Sequence, residues 1–319
     1  MKRFTLITIS VSVLVSAALL LALVRPSIQQ PDVQEVFAMD MAEPLFEKAL
    51  QASATSTGPM EYVIISPTGT HSYAPNTIWR KRFLAEPILH FGEISAHIPV
   101  LMYHKIEKQK PQNSRVSRLM TVSPAHFEKQ MQELVDLGYT TITPTQVELA
   151  LKGGILPKKP IVITFDDGHR SQYTYAYPIL RRLGLRATFF IVTNYIDRPA
   201  YMTRRMIQDM QDAGVATIGS HTIDHHGLND LSLVRQQSEL ADSKKILEDM
   251  FGKPVTTFAY PYGIHNAEVI TQTKAAGYAS AYSCYLGTTQ GALSKYELRR
   301  IRVNDGEPMK ELLDYFEKN

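Results

Sequence analysis

The apolar positions of this chain fall into two textures, one continuous and one periodic. The continuous stretch comes first: Phe4 to Val24 is apolar apart from Thr and Ser, follows Lys2 and Arg3, and ends at Arg25-Pro26. As a helix it is long enough to cross the ~30 Å hydrocarbon layer of a bilayer. The basic start places the N-terminus inside and the remainder outside. A cleaved signal peptide is the alternative, since Ser16-Ala17-Ala18 offers small residues. Leu19-Leu20-Leu21 prolongs the run past that point, however, and Val24 is a poor last residue before a cleavage. The pattern favours an uncleaved signal anchor over residues 1–25, and both readings carry the rest of the chain outside the cytoplasmic membrane.

Residues 26–97 show no sustained period. Ala52 to Gly58 is rich in Ser, Thr and Ala and reads as flexible, Tyr62 to Ile65 as a short strand, and Thr77 to Phe91 as scattered apolar residues that include Trp79. This segment is expected to be a stalk that packs on the domain beneath it.

From residue 98 to 319 strands and helices alternate. Strands are predicted at Pro99–Tyr103, Ile161–Phe165, Ala187–Val192, Val215–Ile218, Thr257–Tyr260, Tyr278–Tyr282 and Leu298–Val303. Between them helices are predicted at Ser123–Leu137, Tyr173–Leu183, Tyr201–Ala213, Leu233–Phe251 and Ala267–Ala276, with a last one opened by Pro308. Strands without polar alternation are buried on both faces, which implies a parallel sheet covered by helices. Chemistry in such folds gathers at the C-terminal ends of the strands.

Composition narrows the choices. A net charge of +3 over 319 residues, with basic residues spread along the chain, argues against a nucleic-acid partner. One cysteine, Cys284, excludes an internal disulfide and a multi-thiolate metal site. No Gly-x-Ser-x-Gly elbow, Gly-x-Gly-x-x-Gly or P-loop pattern occurs, so a serine hydrolase and a nucleotide cofactor are not indicated.

Three polar clusters follow predicted strands. Thr164-Phe165-Asp166-Asp167-Gly168 places two carboxylates at the end of an apolar strand, where burial is costly unless a cation compensates. An ordinary Asp-Gly turn would look the same. Gly219-Ser220-His221-Thr222-Ile223-Asp224-His225-His226 puts two imidazoles four residues apart, which with a carboxylate from elsewhere would make an open Zn²⁺-type site. A solvated histidine run is the plain alternative, and His226 could stand in for His225. Phe258-Ala259-Tyr260-Pro261-Tyr262-Gly263 is a turn that could aim a backbone N–H at a developing oxyanion, or be only a turn.

In this order and spacing the clusters resemble the polysaccharide deacetylase family, carbohydrate esterase family 4 or the NodB-homology domain, over residues 98–319. The resemblance implies an α/β fold, an irregular (β/α) barrel with fewer than eight regular strands. It implies a divalent metal, Zn²⁺ first, held by Asp167, His221 and His225, with Asp166 as general base. Thr222 would brace the second cluster, and the Tyr262 backbone N–H would meet the oxyanion. The sequence departs from the family at three places: Ala259 stands where an arginine usually orients the base, a fourth motif with Asp and Trp is missing around Ala279–Gly287, and Leu298-Arg299-Arg300 stands where Leu-x-His provides the catalytic acid. The biofilm poly-N-acetylglucosamine deacetylases resolve the last departure, because in them the acid's segment precedes the first motif. Ile98 to His104 is similar to that segment, and His104 is then the acid. The implied reaction is N-acetyl hydrolysis on hexosamine units of an extracellular or cell-wall polysaccharide, poly-N-acetylglucosamine ahead of peptidoglycan or chitin-like oligomers. O-acetyl ester hydrolysis is the enzymatic alternative. A catalytically weak carbohydrate-binding protein is the non-enzymatic one, favoured by Ala259 and the missing motif.

Overall fold

The computed structural model describes residues 63–66, 69–72, 94–110 and 112–318. The predicted anchor, residues 1–25, lies outside these, as does most of the predicted stalk; among the described residues no helix is long and apolar enough to cross a membrane. The short strand predicted at Tyr62–Ile65 is found at Val63–Ser66, paired antiparallel with Gly69–Ser72.

The main sheet has eight strands: β1 (Val100–Tyr103), β2 (Thr140–Thr141), β3 (Pro160–Phe165), β4 (Ala187–Ile191), β5 (Ala216–Ser220), β6 (Thr257–Ala259), β7 (Ser280–Tyr282) and β8 (Ile301–Arg302). Their order is β7-β6-β5-β4-β3-β1-β8, every pairing is parallel, and β2 adds to the start of β3. The two ends of this path meet. Leu298, just ahead of β8, forms a parallel bridge with Tyr282 of β7, and the Ser283 N–H donates to the Leu298 carbonyl at 2.9 Å. The sheet thereby closes into the irregular barrel that the resemblance implies.

Burial explains the closure. Leu101, Ile163, Phe189, Ile218, Phe258 and Ala281 pack outward in one cluster with helix residues such as Phe127, Leu180 and Leu247. Their sequence neighbours Val100, Val162, Phe190, Ala259 and Tyr282 form a second cluster with one another, inside the ring. Side chains alternate along a strand, so this parity can be extended to the strand ends. Continuing it past β1, β3 and β5 makes His104, Asp166 and His221 the next inward positions.

Several helices begin at a side-chain cap. Ser123 accepts from the His126 N–H at 3.4 Å ahead of Pro124–Asp136, whose buried residues Phe127, Gln130, Met131 and Leu134 make one stripe. Two predicted helices differ in one respect. The first opens with a π-turn, Gln172–Ala176, before Tyr177–Arg182; the second carries a π-turn, Ser238–Asp242, between Leu233–Gln237 and Ser243–Phe251. The helix Pro144–Ala150, with its Thr143/Gln146 capping box, and the strand pair Ser95–His97 with Thr289–Gly291 have no counterpart in the predicted elements. Two- and three-residue strands are too short to show an alternation.

Candidate active site

Asp166 leaves β3 with 2% of its surface exposed and meets a residue that sequence reasoning treated as a vacant slot. Arg300 Nη1 donates to Asp166 Oδ1 at 2.7 Å, while its Nε donates to the Ser283 carbonyl at 2.9 Å. The guanidinium is wholly buried and lies 5.7 Å from the Phe190 ring centroid. Ala259, where the family pattern carries an arginine, contributes its backbone instead, and its carbonyl lies 2.7 Å from His221 Nδ1. The arginine that grips the candidate base therefore comes from the segment just ahead of β8. Sequence alone did not single it out, since Leu298–Val303 carries Arg299, Arg300 and Arg302, of which only Arg300 is buried; a buried guanidinium needs a carboxylate partner. His104, at the end of β1, brings Nε2 to 4.0 Å from Asp166 Oδ2.

Asp167, His221 and His225 converge, with one ligand-type atom from each lying within 4.8 Å of the others. His221 Nε2 stands 3.6 Å and His225 Nε2 3.2 Å from Asp167 Oδ1. Asp167 Oδ1 is buried and has no hydrogen-bond partner. The other carboxylate oxygen lies 3.1 Å from His169 Nε2, a ring stacked on Tyr201. The backbone that presents these groups is unusual: Asp167, Thr222 and His225 all have positive φ, at 72°, 71° and 62°. Thr222 Oγ1 accepts the His225 N–H at 2.9 Å and so closes the turn between the two imidazoles. His226 is turned away, with a side chain 56% exposed and 3.9 Å from Glu239. Asp224, His226 and Glu239 also approach one another, but Arg235 already supplies their cation, 3.1 Å from Glu239 and 3.6 Å from Asp224.

Tyr262 borders the same space. Its backbone is left-handed (φ 59°), and its hydroxyl lies 3.2 Å from His225 Nδ1. The turn is held by His265, which bridges the Gly263 carbonyl at 2.9 Å and Glu297 at 3.0 Å.

The charges are set by competition between burial and neighbours. Burial pushes the Asp166 carboxyl up, but Arg300, then His221 and His104, more than offset it and hold the group below the usual carboxylate value. Asp167 is held well below that value, burial being outweighed first by His169 and His225. Burial lowers His221 to about 4, leaving a neutral ring whose Nδ1 is engaged at Ala259 and whose Nε2 faces Asp167. His225 moves the other way, because Asp167 outweighs burial and raises it. Burial also lowers His104 to about 4, against the pull of Asp167 and Asp166. One neutral imidazole, a second that gives up its proton when an ion binds, and one buried carboxylate oxygen without a hydrogen-bond partner make a donor set that fits a divalent ion.

Residues 153–281 match the family model described as polysaccharide deacetylase. YxkH of Bacillus subtilis (strain 168), which carries the same family's name, is 36% identical over 215 residues, spanning 67% of this chain and 74% of that protein. The poly-beta-1,6-N-acetyl-D-glucosamine N-deacetylase of Staphylococcus aureus (strain MRSA252) is 28% identical over 64% of this chain and 78% of its own length. Among solved structures, the Streptococcus pyogenes deacetylase PplD in complex with acetate superposes with a TM-score of 0.65 at 28% identity, over 70% of this chain and 99% of that one. On this identity and coverage the chain belongs to the polysaccharide deacetylase family and is a hydrolase of that family.

Proposed function

We propose that this protein removes N-acetyl groups from hexosamine units of an extracytoplasmic polysaccharide in a divalent-metal-dependent reaction. The observation that carries this reading is the unpaired buried oxygen of Asp167 between two imidazoles, beside a second carboxylate already paired with Arg300. Asp167, His221 and His225 would hold the ion, for which Zn²⁺ suits the His₂Asp set. When bound, the ion supplies Lewis acidity, polarising the acyl carbonyl and making water more acidic.

The chain's own residues do the rest. Asp166, kept ionised by Arg300, takes a proton from the attacking water. His104 is neutral at pH 7 and 4.0 Å from Asp166, so it is placed to relay that proton to the amine as the C–N bond breaks. The left-handed turn at Tyr262 offers its backbone N–H to the oxyanion. Ala259 favours a catalytically weak carbohydrate-binding protein, but Arg300 takes the place beside Asp166 that Ala259 leaves open.

Poly-N-acetylglucosamine is the favoured polymer, supported by the activity for which the Staphylococcus aureus relative is named. Residues 1–25 support a location outside the cytoplasmic membrane, attached by the anchor. Acetate release from defined N-acetylglucosamine oligomers, from peptidoglycan and from O-acetylated glycans, before and after metal stripping, tests the reading. We expect release from the β-1,6-linked oligomers, lost on stripping and regained with Zn²⁺. Metal-loaded protein without release from any of them would sink it. Asp166→Asn should lower release roughly 10²–10⁴-fold while metal binding persists, whereas His221→Ala should lose both. Wild-type turnover by Asp166→Asn would mean the base lies elsewhere.

A further inference from the structure

Each of the two π-turns carries one buried polar residue that the chemistry above does not use. Gln172, fully buried, opens the first; its amide nitrogen donates to the His104 carbonyl at 2.9 Å and to the Asp166 carbonyl at 2.6 Å. One side chain thus ties the end of β1 to the end of β3, the two strands that present the candidate acid and base. Glu239, also fully buried, lies in the second π-turn. Its Oε2 accepts the Ile223 N–H at 2.8 Å and the Asp224 N–H at 3.1 Å, inside the turn that joins His221 to His225. Its other oxygen accepts from Arg235 at 3.1 Å.

A π-turn inserts an extra residue into a helix and rotates the residues beyond it, and such insertions collect at functional sites. Here each π-turn carries a long polar side chain that reaches the backbone at the ends of the strands. The cost of burying Glu239 is met by two backbone N–H groups and a guanidinium. Those N–H groups belong to a segment flanked by positive φ at Thr222 and His225, a conformation that needs external support.

We propose that the two π-turns are separate positioning devices, with Glu239 setting the geometry of the metal-binding turn and Gln172 setting the acid–base pair. The proposal rests on the metal-dependent reading of the site. Its signature is a split of effects between two readouts. Partners one layer out from a metal ligand are worth about 10–100-fold in metal affinity or activity. Glu239→Ala should therefore weaken Zn²⁺ binding roughly 10–100-fold in a chelator-competition titration, while kcat at saturating metal stays within about threefold of wild type. Glu239→Gln retains an acceptor oxygen for the two N–H groups and should restore affinity to within about threefold. Gln172→Leu should do the reverse, keeping Zn²⁺ affinity while kcat falls roughly tenfold or more. Gln236, equally buried but bonded only to the Leu231 carbonyl, is the control, and Gln236→Leu should lower Tm with both readouts unchanged.

Should Glu239→Ala or Gln172→Leu fail to fold, Glu239→Asp and Gln172→Met read the same two effects with less change in volume. Parallel loss of affinity and kcat in both variants, or loss of neither, overturns the proposal. Wild-type protein that binds no divalent ion overturns instead the metal-dependent reading on which it stands.

Discussion

Arg300 and Asp166 form a buried ion pair, and breaking one side of it exposes what burial alone would do to the other. Removing one partner of such a pair costs about 3–5 kcal/mol, because the remaining charge is left uncompensated. Arg300→Met should therefore lower stability by that order in chemical unfolding. With Arg300 gone, burial and its upward push on the Asp166 carboxyl are less opposed, so that group's pKa rises. A base must be ionised to act, so the acid limb of the kcat/KM profile should move to higher pH. An unshifted limb would detach Arg300 from the base. His225 gives a second pH effect. Asp167 raises its pKa above the ordinary 6.5 in the metal-free protein, and a proton there competes with an ion. Zn²⁺ affinity should fall as pH drops through that value, by about tenfold per unit; a titration flat between pH 5 and 8 would contradict it. At this scale the sequence made His104, Asp166, Asp167, His221 and His225 legible through motif order. Arg300, Gln172 and Glu239 were not, because each acts on a partner more than a dozen residues away or through a backbone atom, and spacing carries no trace of that.

Among elements, the turn after β6 is under tight steric control. Gly263 has φ of +74°, and a Cβ there would fall 2.5 Å from Cys284 Cβ and 2.7 Å from the Cys284 nitrogen. Gly263→Ala must push the turn, and Tyr262 with it, away from its place. We expect a lower Tm together with a loss of acetate release. Gly138 has a similar φ of +77° but nothing within 4 Å of a Cβ. Gly138→Ala should cost only the conformational penalty, about 1–2 kcal/mol, and leave release unchanged. Equal effects of the two substitutions would mean that the contact at Cys284 is unimportant. The long buried strands and the longer helices of this level were readable from their apolar pattern, whereas the short helix Pro144–Ala150 was not despite its capping box. The π-turns were not, since a residue inserted in a helix alters the apolar period too little to detect over one turn.

For the whole molecule, the ring depends on segments far apart in sequence. Ser95–His97 pairs with Thr289–Gly291, and the Ile98 N–H continues that contact to the Thr288 carbonyl at 2.8 Å. A chain beginning at residue 98 should unfold at a lower temperature than one beginning at residue 94, in matched thermal scans. Identical midpoints would show the added strand to be dispensable. The closure at Tyr282 and Leu298 was beyond sequence reasoning, because a bridge of one residue pair leaves no pattern. Closure also sets when Asp166 is paired. His104 lies just past β1 and Arg300 just ahead of β8, so the first and last strands of the ring, paired side by side, each bring one of them. A chain still emerging from the ribosome has both aspartates and both histidines before it has Arg300. Asp166 acquires this partner only when the final strand docks, so an unfinished polypeptide lacks the guanidinium that holds its carboxyl ionised.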